Sequence, residues 1–450
     1  MSRAIKFPPP YRDMVICAPG KNLLTDWAGV ASTRFCRGKS CKMTETYREP
    51  PPHIDLNRVI DFDFYSDHRY AKTGDIHRAM FRMAEEEGRG IFWTPRNGGH
   101  WCINDHAMLF DAVRDTQLFS SSALTLPPMP EGEEPRVLPI SLDGEEHTAY
   151  RLPLLKAFAP ASIKAMEPAV RAFAITLIES VRGIGRCNFV DTISEPLPVI
   201  IFMRFMGLDT TRLREFRLWV YDMLSSDDAR RAGSHHKIQG MLAEVLAQRR
   251  VAPRDDLISR LLVGQVRGRP LEEDELLAFC LLLFAAGLDT VANALSFGMN
   301  HLARDPALQD RLRADPKLIP AAVEELLRLY GVANVVRVVK RDTEWHGANL
   351  KAGERVLMML TVGNYDGAVY RDPAAFDLDR ECEPHISFNV GPHRCVGSHL
   401  ARLELNVFYT EWFKRMPNVW VDPEISPSLR GGQTLALGAL PLLWSQKPMS

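Results

Sequence analysis

Phe388-Asn389-Val390-Gly391-Pro392-His393-Arg394-Cys395-Val396-Gly397 is the stretch on which the fold turns. It sets a cysteine behind a Gly/Pro loop and at the start of a helix that the spacing predicts from about Val396 to Phe413. Backbone N–H groups and the positive end of a helix dipole at such a place favour thiolate over thiol. Gly391 allows close backbone approach to a flat ligand, and Phe388 is placed to shield the sulfur. A cysteine and two glycines fit equally well a loop cysteine that happens to precede a helix, so the stretch needs company before it carries chemistry.

The company lies upstream. Glu325-Leu326-Leu327-Arg328 falls on a helix predicted from about Leu318 to Tyr330, about 70 residues before the cysteine. Its spacing puts both charges on one face, which by itself is an ordinary ion pair worth about 0.2–0.5 kcal/mol. Val335 to Val339 then reads as a strand. A long helix is predicted from Glu272 to about Arg304, opened by Pro270 and the acidic turn Glu272, Glu273, Asp274. In its middle, Ala286-Gly287-Leu288-Asp289-Thr290 interrupts an apolar run with poor helix formers, and the Thr290 hydroxyl is spaced to bond back to the carbonyl of residue 286. A core helix that tolerates a polar pair is the plain alternative. Finally, in Asp143-Gly144-Glu145-Glu146-His147-Thr148-Ala149-Tyr150-Arg151, His147 and Arg151 share a helix face and suit a carboxylate, although a surface pair reads the same way.

Taken together and in this order, the pattern Phe-x-x-Gly-x-x-x-Cys-x-Gly and its three companions resemble the cytochrome P450 superfamily. The resemblance runs from about Pro50 to Trp444. Phrases such as Gly98-Gly99-His100-Trp101, Cys187-Asn188-Phe189 and Gly397-Ser398-His399-Leu400-Ala401-Arg402 are similar to the soluble bacterial class that includes camphor hydroxylase. It implies a mainly α haem-thiolate fold with a small β region and a long central helix over the haem. It implies haem b as cofactor, with Cys395 as axial thiolate and metal ligand, and Phe388 and Gly391 in the cofactor loop. His147, Arg151, Arg337 and His393 become partners of the haem propionates, and Glu325 and Arg328 a structural pair bracing the proximal side. Asp289 becomes the proton-relay acid and Thr290 the hydrogen-bonding alcohol of a monooxygenase that hydroxylates with O2.

By the same resemblance, Thr125, Leu282, Ala285, Ala333 and Gln433 wall a mostly apolar pocket that suits a small terpenoid-like or cyclic substrate. The sequence has no flavin or nicotinamide fingerprint, so an external electron donor is implied: a [2Fe-2S] ferredoxin with its reductase, contacted by Arg151 and neighbouring basic residues. A peroxide-driven peroxygenase and a non-enzymatic haem protein that binds gases are the rival readings. Two departures bear on substrate. Camphor hydroxylase has a tyrosine in the loop before the His/Arg helix, whereas residues 120–141 contain none, and the position of its strand Asp near a propionate is Val335 here.

Composition agrees with this reading and excludes others. Across 450 residues, 55 basic and 56 acidic side chains give a net charge of −1, which argues against a nucleic-acid partner or a polybasic membrane-surface protein. At 46% hydrophobic and 25% charged the chain is ordinary globular protein, large enough for a core without disulfides. Pro8 to Pro10 stand where a secretory signal needs an apolar stretch, and the run Leu276 to Gly287 is short of the roughly 20 residues that span a bilayer. A cytoplasmic monomer is therefore expected.

Residues 1–45 read as a mobile extension or as lying upstream of a start at Met43, and 46–450 as one domain. Cys36 and Cys41 make only half a zinc site. Asn97-Gly98-Gly99 predicts a hairpin between Ile91 and Ile103. Helices are expected over 144–183, 195–224 and 235–249, with 225–234 as a polar connector. Residues 120–141 and 225–234 are candidate access lids.

Overall fold

The computed structural model describes residues 47–129 and 136–445, apart from 213–214, 217, 220–221, 223–227, 382–383 and 426. The expected extension 1–45, with Cys36 and Cys41, lies outside the described residues.

The helices form where apolar positions recur at helical spacing. In α1 (Ile76–Glu87), Ile76, Ala79, Met80, Met83 and Ala84 are buried, and the Asp75 carboxylate caps the first turn by accepting from Arg78 N. Residues 144–183 give α2 (Gly144–Ala157) and α3 (Glu167–Arg182), joined through a short helical turn. Next come α4 (Pro196–Met206), α5 (Asp228–Val251) and α6 (Leu257–Leu262). The central helix α7 (Glu273–Leu302) runs for 30 residues behind a capping box formed by Glu272 and Glu275. It is long and apolar enough by composition to cross a membrane, which the count of its apolar run did not foresee. It packs against α4, α5, α8 (Ile319–Leu329) and α9 (Ser398–Arg415).

Strands β1 (Ile91–Thr94) and β2 (His100–Ile103) form the expected hairpin, with Trp93 opposite Trp101. The sheet continues through β6 (Arg355–Met358), parallel to β2, to β5 (Val335–Val339) and finally β3 (Phe119–Ser120). A smaller core of Trp93, Trp101, Leu109 and Val356 underlies this sheet, while the main core gathers the helices. A second sheet, which the sequence reading missed, joins β4 (Arg186–Asn188), β7 (Val419–Val421) and β10 (Pro441–Trp444). Between the last two, β8 (Leu429–Arg430) pairs with β9 (Ala436–Leu437).

Two expectations about 195–234 need correction. The helix predicted over 195–224 breaks at Gly207, whose φ of +79° ends α4 in a left-handed cap. The Asp256 carboxylate occupies the space a side chain at 207 would need. Of the expected connector 225–234, residues 228–234 are helical, because α5 begins at Asp228; 225–227 lie outside the described residues. The stretch Ala229-Arg230-Arg231-Ala232 lacks an apolar stripe but consists of good helix formers, and propensity prevailed over pattern.

Arg249, at the end of α5, donates from Nε to Asp256 Oδ2 at 2.5 Å and from Nη2 to Gly207 O at 2.7 Å, and the pair is 3% and 4% exposed. This contact pins three helix ends together. Breaking a buried pair by removing one partner costs about 3–5 kcal/mol, whereas an apolar pair of similar volume is tolerated. Arg249→Ala is expected to lose about that much in urea unfolding, and Arg249→Met combined with Asp256→Leu to recover most of it.

Candidate functional site

The cysteine loop is held by its own backbone. Cys395 N donates to Phe388 O at 2.8 Å, and Asn389 and Gly391 both adopt left-handed angles, with φ of 58° and 70°. Gly391 is required for a reason the sequence did not show. A Cβ there would lie 2.8 Å from Arg114 Cγ, so the glycine makes room for Arg114. Phe388 lies under the Arg402 guanidinium, 4.6 Å from its ring centroid.

Helix α9 starts at Ser398 with Gly397 as its cap, so Cys395 precedes the helix instead of opening it. The Cys395 side chain is accessible, and the Gly397 N–H is directed at its sulfur. Burial by the surrounding protein nevertheless pushes its thiol up, outweighing the Gly397 N–H and the charges of Arg151, Arg394 and Arg402. A bound metal ion deprotonates a coordinating thiol outright.

Beneath the loop, Glu325 and Arg328 are far more than a surface pair. Arg328 Nε and Nη2 each donate to the Glu325 carboxylate at 2.8 Å, and both side chains are fully buried. Arg328 also reaches the carbonyls of Asn364, Pro373 and Ala375 at 2.7 to 3.0 Å. Glu325 accepts from Arg380 Nε at 3.0 Å and from Asp377 N at 3.1 Å. Asn364 Nδ2 passes the connection to Ser387 Oγ at 2.7 Å, just ahead of Phe388.

Four cationic or donor groups meet at one edge of the β5 strand. The His147 and His393 rings stack with centroids 3.9 Å apart. Burial, together with the nearby cations Arg337 and Arg151, pushes the imidazole of His393 down to about 2. Burial and Arg151 push His147 down to about 4. Arg337 is 3% exposed, and burial pushes its guanidinium down to about 10. Its one hydrogen bond among the described residues goes to Val336 O at 2.8 Å. Arg151 donates to the carbonyl of Arg394 in the cysteine loop.

Two further polar groups meet His393 from the segment before α2. Ser121 Oγ lies 3.1 Å from His393 Nε2, and Asp143 Oδ1 lies 4.0 Å from it while accepting from Ser121 N. Ser121 and Asp143 were not among the predicted site residues, and no local signal marks them. A buried cation without a carboxylate partner and an unpartnered His147 Nε2 fit a ligand that brings its own carboxylates.

On α7, accessible atoms run along a single stripe, Leu282, Ala285, Ala286, Asp289 and Thr290, while Leu276, Phe279, Cys280, Leu283 and Phe284 are buried on the other side. Thr290 Oγ1 donates to Ala286 O at 3.4 Å, as its spacing predicts. Gly287 admits the ring of Phe202 from α4, which a Cβ would meet at 2.7 Å. The remaining wall residues form a second group. Ala333 bridges to Thr434, and Gln433 Nε2 donates to Leu124 O at 2.5 Å, next to Thr125. Arg430 links the groups, with Nη2 at 3.4 Å from Asp289 Oδ2.

The family model described as Cytochrome P450 matches residues 216–416. A probable cytochrome P450 127A1 of Sinorhizobium fredii (strain NBRC 101917 / NGR234) is 31% identical over 408 residues, covering 88% of this chain and 97% of that protein. The chain belongs to the cytochrome P450 family. A steroid C26-monooxygenase of Mycobacterium tuberculosis (strain ATCC 25618 / H37Rv) is 31% identical over 394 residues, 83% of this chain and 98% of the relative. The crystal structure of CYP101J2 superposes with a TM-score of 0.82 at 35% identity, covering 88% of this chain and 99% of the other. Cytochromes P450 carry haem b through a cysteine thiolate and act as monooxygenases, and the P450 described here is a haem-thiolate monooxygenase.

One buried acid near the cysteine side of this P450 has no role in the motifs. Glu404 on α9 is 2% exposed, its Oε2 has no partner among the described residues, and burial pushes its carboxyl up from 4.5 to about 8. The folded state therefore holds this proton more tightly than the unfolded chain. The associated stability is complete below pH 4.5 and is lost as pH rises through about 8. Glu404→Gln is expected to melt with the parent at pH 5 and several degrees above it at pH 9, in thermal scans of the holoprotein.

Proposed function

We propose that this cytochrome P450 inserts one atom of O2 into an unactivated C–H bond of a small apolar substrate, terpenoid-like or cyclic. Two electrons and two protons reduce the other oxygen atom to water, and the electrons come from a [2Fe-2S] ferredoxin and its reductase. Residues 46–450 serve as a single haem domain in the cytoplasm, and Cys395 is the axial ligand. When bound, the haem iron supplies O2 activation, and a thiolate ligand favours O–O cleavage. Arg337, His393, Arg151 and His147 would hold the two propionates, the buried Arg337 guanidinium by charge and the stacked imidazoles by hydrogen bonds.

The observation that carries the reading is the α7 stripe, in which an apolar wall ends in Asp289 and Thr290. The Thr290 hydroxyl orients the last hydrogen bond in an otherwise dry pocket, and Asp289 moves protons to it from the surface side. That pair favours O2-driven turnover over a peroxygenase. Small side chains at Ala285 and Ala333 suit a compact ring system.

Relatives named steroid C26-monooxygenase and vitamin D3 dihydroxylase make larger polycyclic molecules the comparison arm. At the cysteine loop, Arg114 approaches Gly391 and Arg151 reaches the Arg394 carbonyl, and the exposed cations Arg114 and Arg394 suit an acidic iron–sulfur donor.

A spin-state titration of the ferric holoenzyme with camphor, limonene and cholest-4-en-3-one tests the substrate class. A monoterpene is expected to give the largest shift and a hydroxylated product under reconstituted electron supply. A response to the sterol alone would overturn the small-substrate reading. Thr290→Ala is expected to keep binding within about twofold while most of the consumed O2 is released as peroxide; hydroxyl hydrogen bonds at such a step are worth about 10²–10⁴-fold in rate. Unchanged coupling would remove the role given to Thr290.

A further inference from the structure

Two glutamates stand side by side on α8, and they hold different partners. Glu325 is fully buried against Arg328. Glu324 is 39% exposed and takes Arg402 of α9 in a fork, with Arg402 Nε donating to Oε1 at 2.6 Å and Nη2 to Oε2 at 2.8 Å. His385 adds a third contact, its Nε2 lying 3.3 Å from Oε2. The Ser387 N–H donates to His385 Nδ1 at 3.2 Å, so the neutral ring carries its proton on Nε2, toward Glu324. Burial pushes the Glu324 carboxyl up, but hydrogen bonds from His385 and Arg402 outweigh it and hold the group down at about 2. The carboxylate is therefore a fixed negative charge.

What this carboxylate holds lies against the cysteine loop. The Arg402 guanidinium sits over the Phe388 ring, 4.6 Å from its centroid, and the His385 ring leans on the same ring at 5.7 Å. Phe388 O in turn accepts from Cys395 N at 2.8 Å. Burial pushes the Cys395 thiol up, and three cations, Arg151, Arg394 and Arg402, pull the other way. Of the three, Arg402 alone is paired with a carboxylate among the described residues. Its charge is thus the one whose strength at the sulfur depends on a partner. With the acid removed the cation acts in full, and with the cation removed an unpaired anion takes its place. Arg402 is 26% exposed, so solvent moderates either effect without abolishing it.

We propose that Glu324 is a positioning residue for Arg402, and that this pair sets the charge acting on the Cys395 sulfur and so the ease with which the bound haem takes up an electron. Ferric iron, the porphyrin dianion and a thiolate sum to zero charge. One added electron makes the ferrous site negative, so nearby positive charge favours reduction. The inference rests on the reading of Cys395 as axial ligand and adds a control on that ligand from outside its loop.

Opposite signs supply the test. The ferric/ferrous equilibrium of the substrate-free holoenzyme is titrated against a redox dye in the parent, Glu324→Gln, Arg402→Gln, Arg402→Lys and the double form Glu324→Gln/Arg402→Gln. Glu324→Gln keeps the shape of the side chain and loses its charge. It is expected to favour the ferrous form by about three- to tenfold, or about 30–60 mV at about 59 mV per tenfold for one electron. Arg402→Gln should move the equilibrium the other way by a similar factor. The double form should return near the parent, and Arg402→Lys, which keeps the charge, should recover most of the shift.

A merely structural pair behaves differently. Loosening of the loop would move both single forms in one direction and lower the sulfur-ligated fraction of the ferrous carbonyl adduct. That result, or no shift in either form, overturns the proposal. Should Arg402→Gln fold poorly, Glu324→Gln is titrated again at high salt, where its shift should shrink; a shift indifferent to salt counts against a charge effect. Cys395→Ser separates the two claims. Sulfur-ligated absorption that survives this substitution sinks the ligand reading, whereas its loss there, with shifts of the same sign in the two single forms, sinks the tuning alone.

Discussion

Arg328 keeps its whole guanidinium inside the protein, and the surroundings of the cysteine loop hang from it. Facing Glu325 at 2.8 Å and three carbonyls of the segment after β6, it fastens a stretch with little regular structure to a rigid helix. A buried cation with this many acceptors tolerates little displacement, because any shift leaves a charge or a carbonyl unpaired in a medium that cannot solvate it. Asn364 and Ser387 carry that rigidity to Phe388, whose carbonyl closes the loop around Cys395. The position of the sulfur is in this sense a property of α8, reached through three hydrogen bonds.

Charge is distributed unevenly around the site. One edge gathers Arg337, Arg151 and two histidines around the single carboxylate of Asp143, while the α7 wall is apolar up to a single aspartate. The first arrangement suits anions and the second an apolar face. Together they orient a ligand with carboxylates at one rim and a hydrophobic face across the middle.

Much of this was legible in the sequence because it is local. Strand β5, the hairpin at Asn97, the length of α7 and the faces of Glu325/Arg328 and His147/Arg151 all follow from spacing within a few residues. What escaped the reading depends on distant partners. Nothing near Arg430 announces Asp289, nothing near Ser121 announces His393, and Gly391 gives no hint of Arg114. The same holds for the break at Gly207, which depends on Asp256 far along the chain.

The contact between Gly287 and Phe202 has a consequence for how pockets of this enzyme could diverge. With an aromatic ring seated where a side chain at 287 would project, the separation of α4 from α7 is fixed by a benzene ring and a missing methyl. Any larger residue at 287 would act as a wedge between two helices rather than as a new bump on the wall.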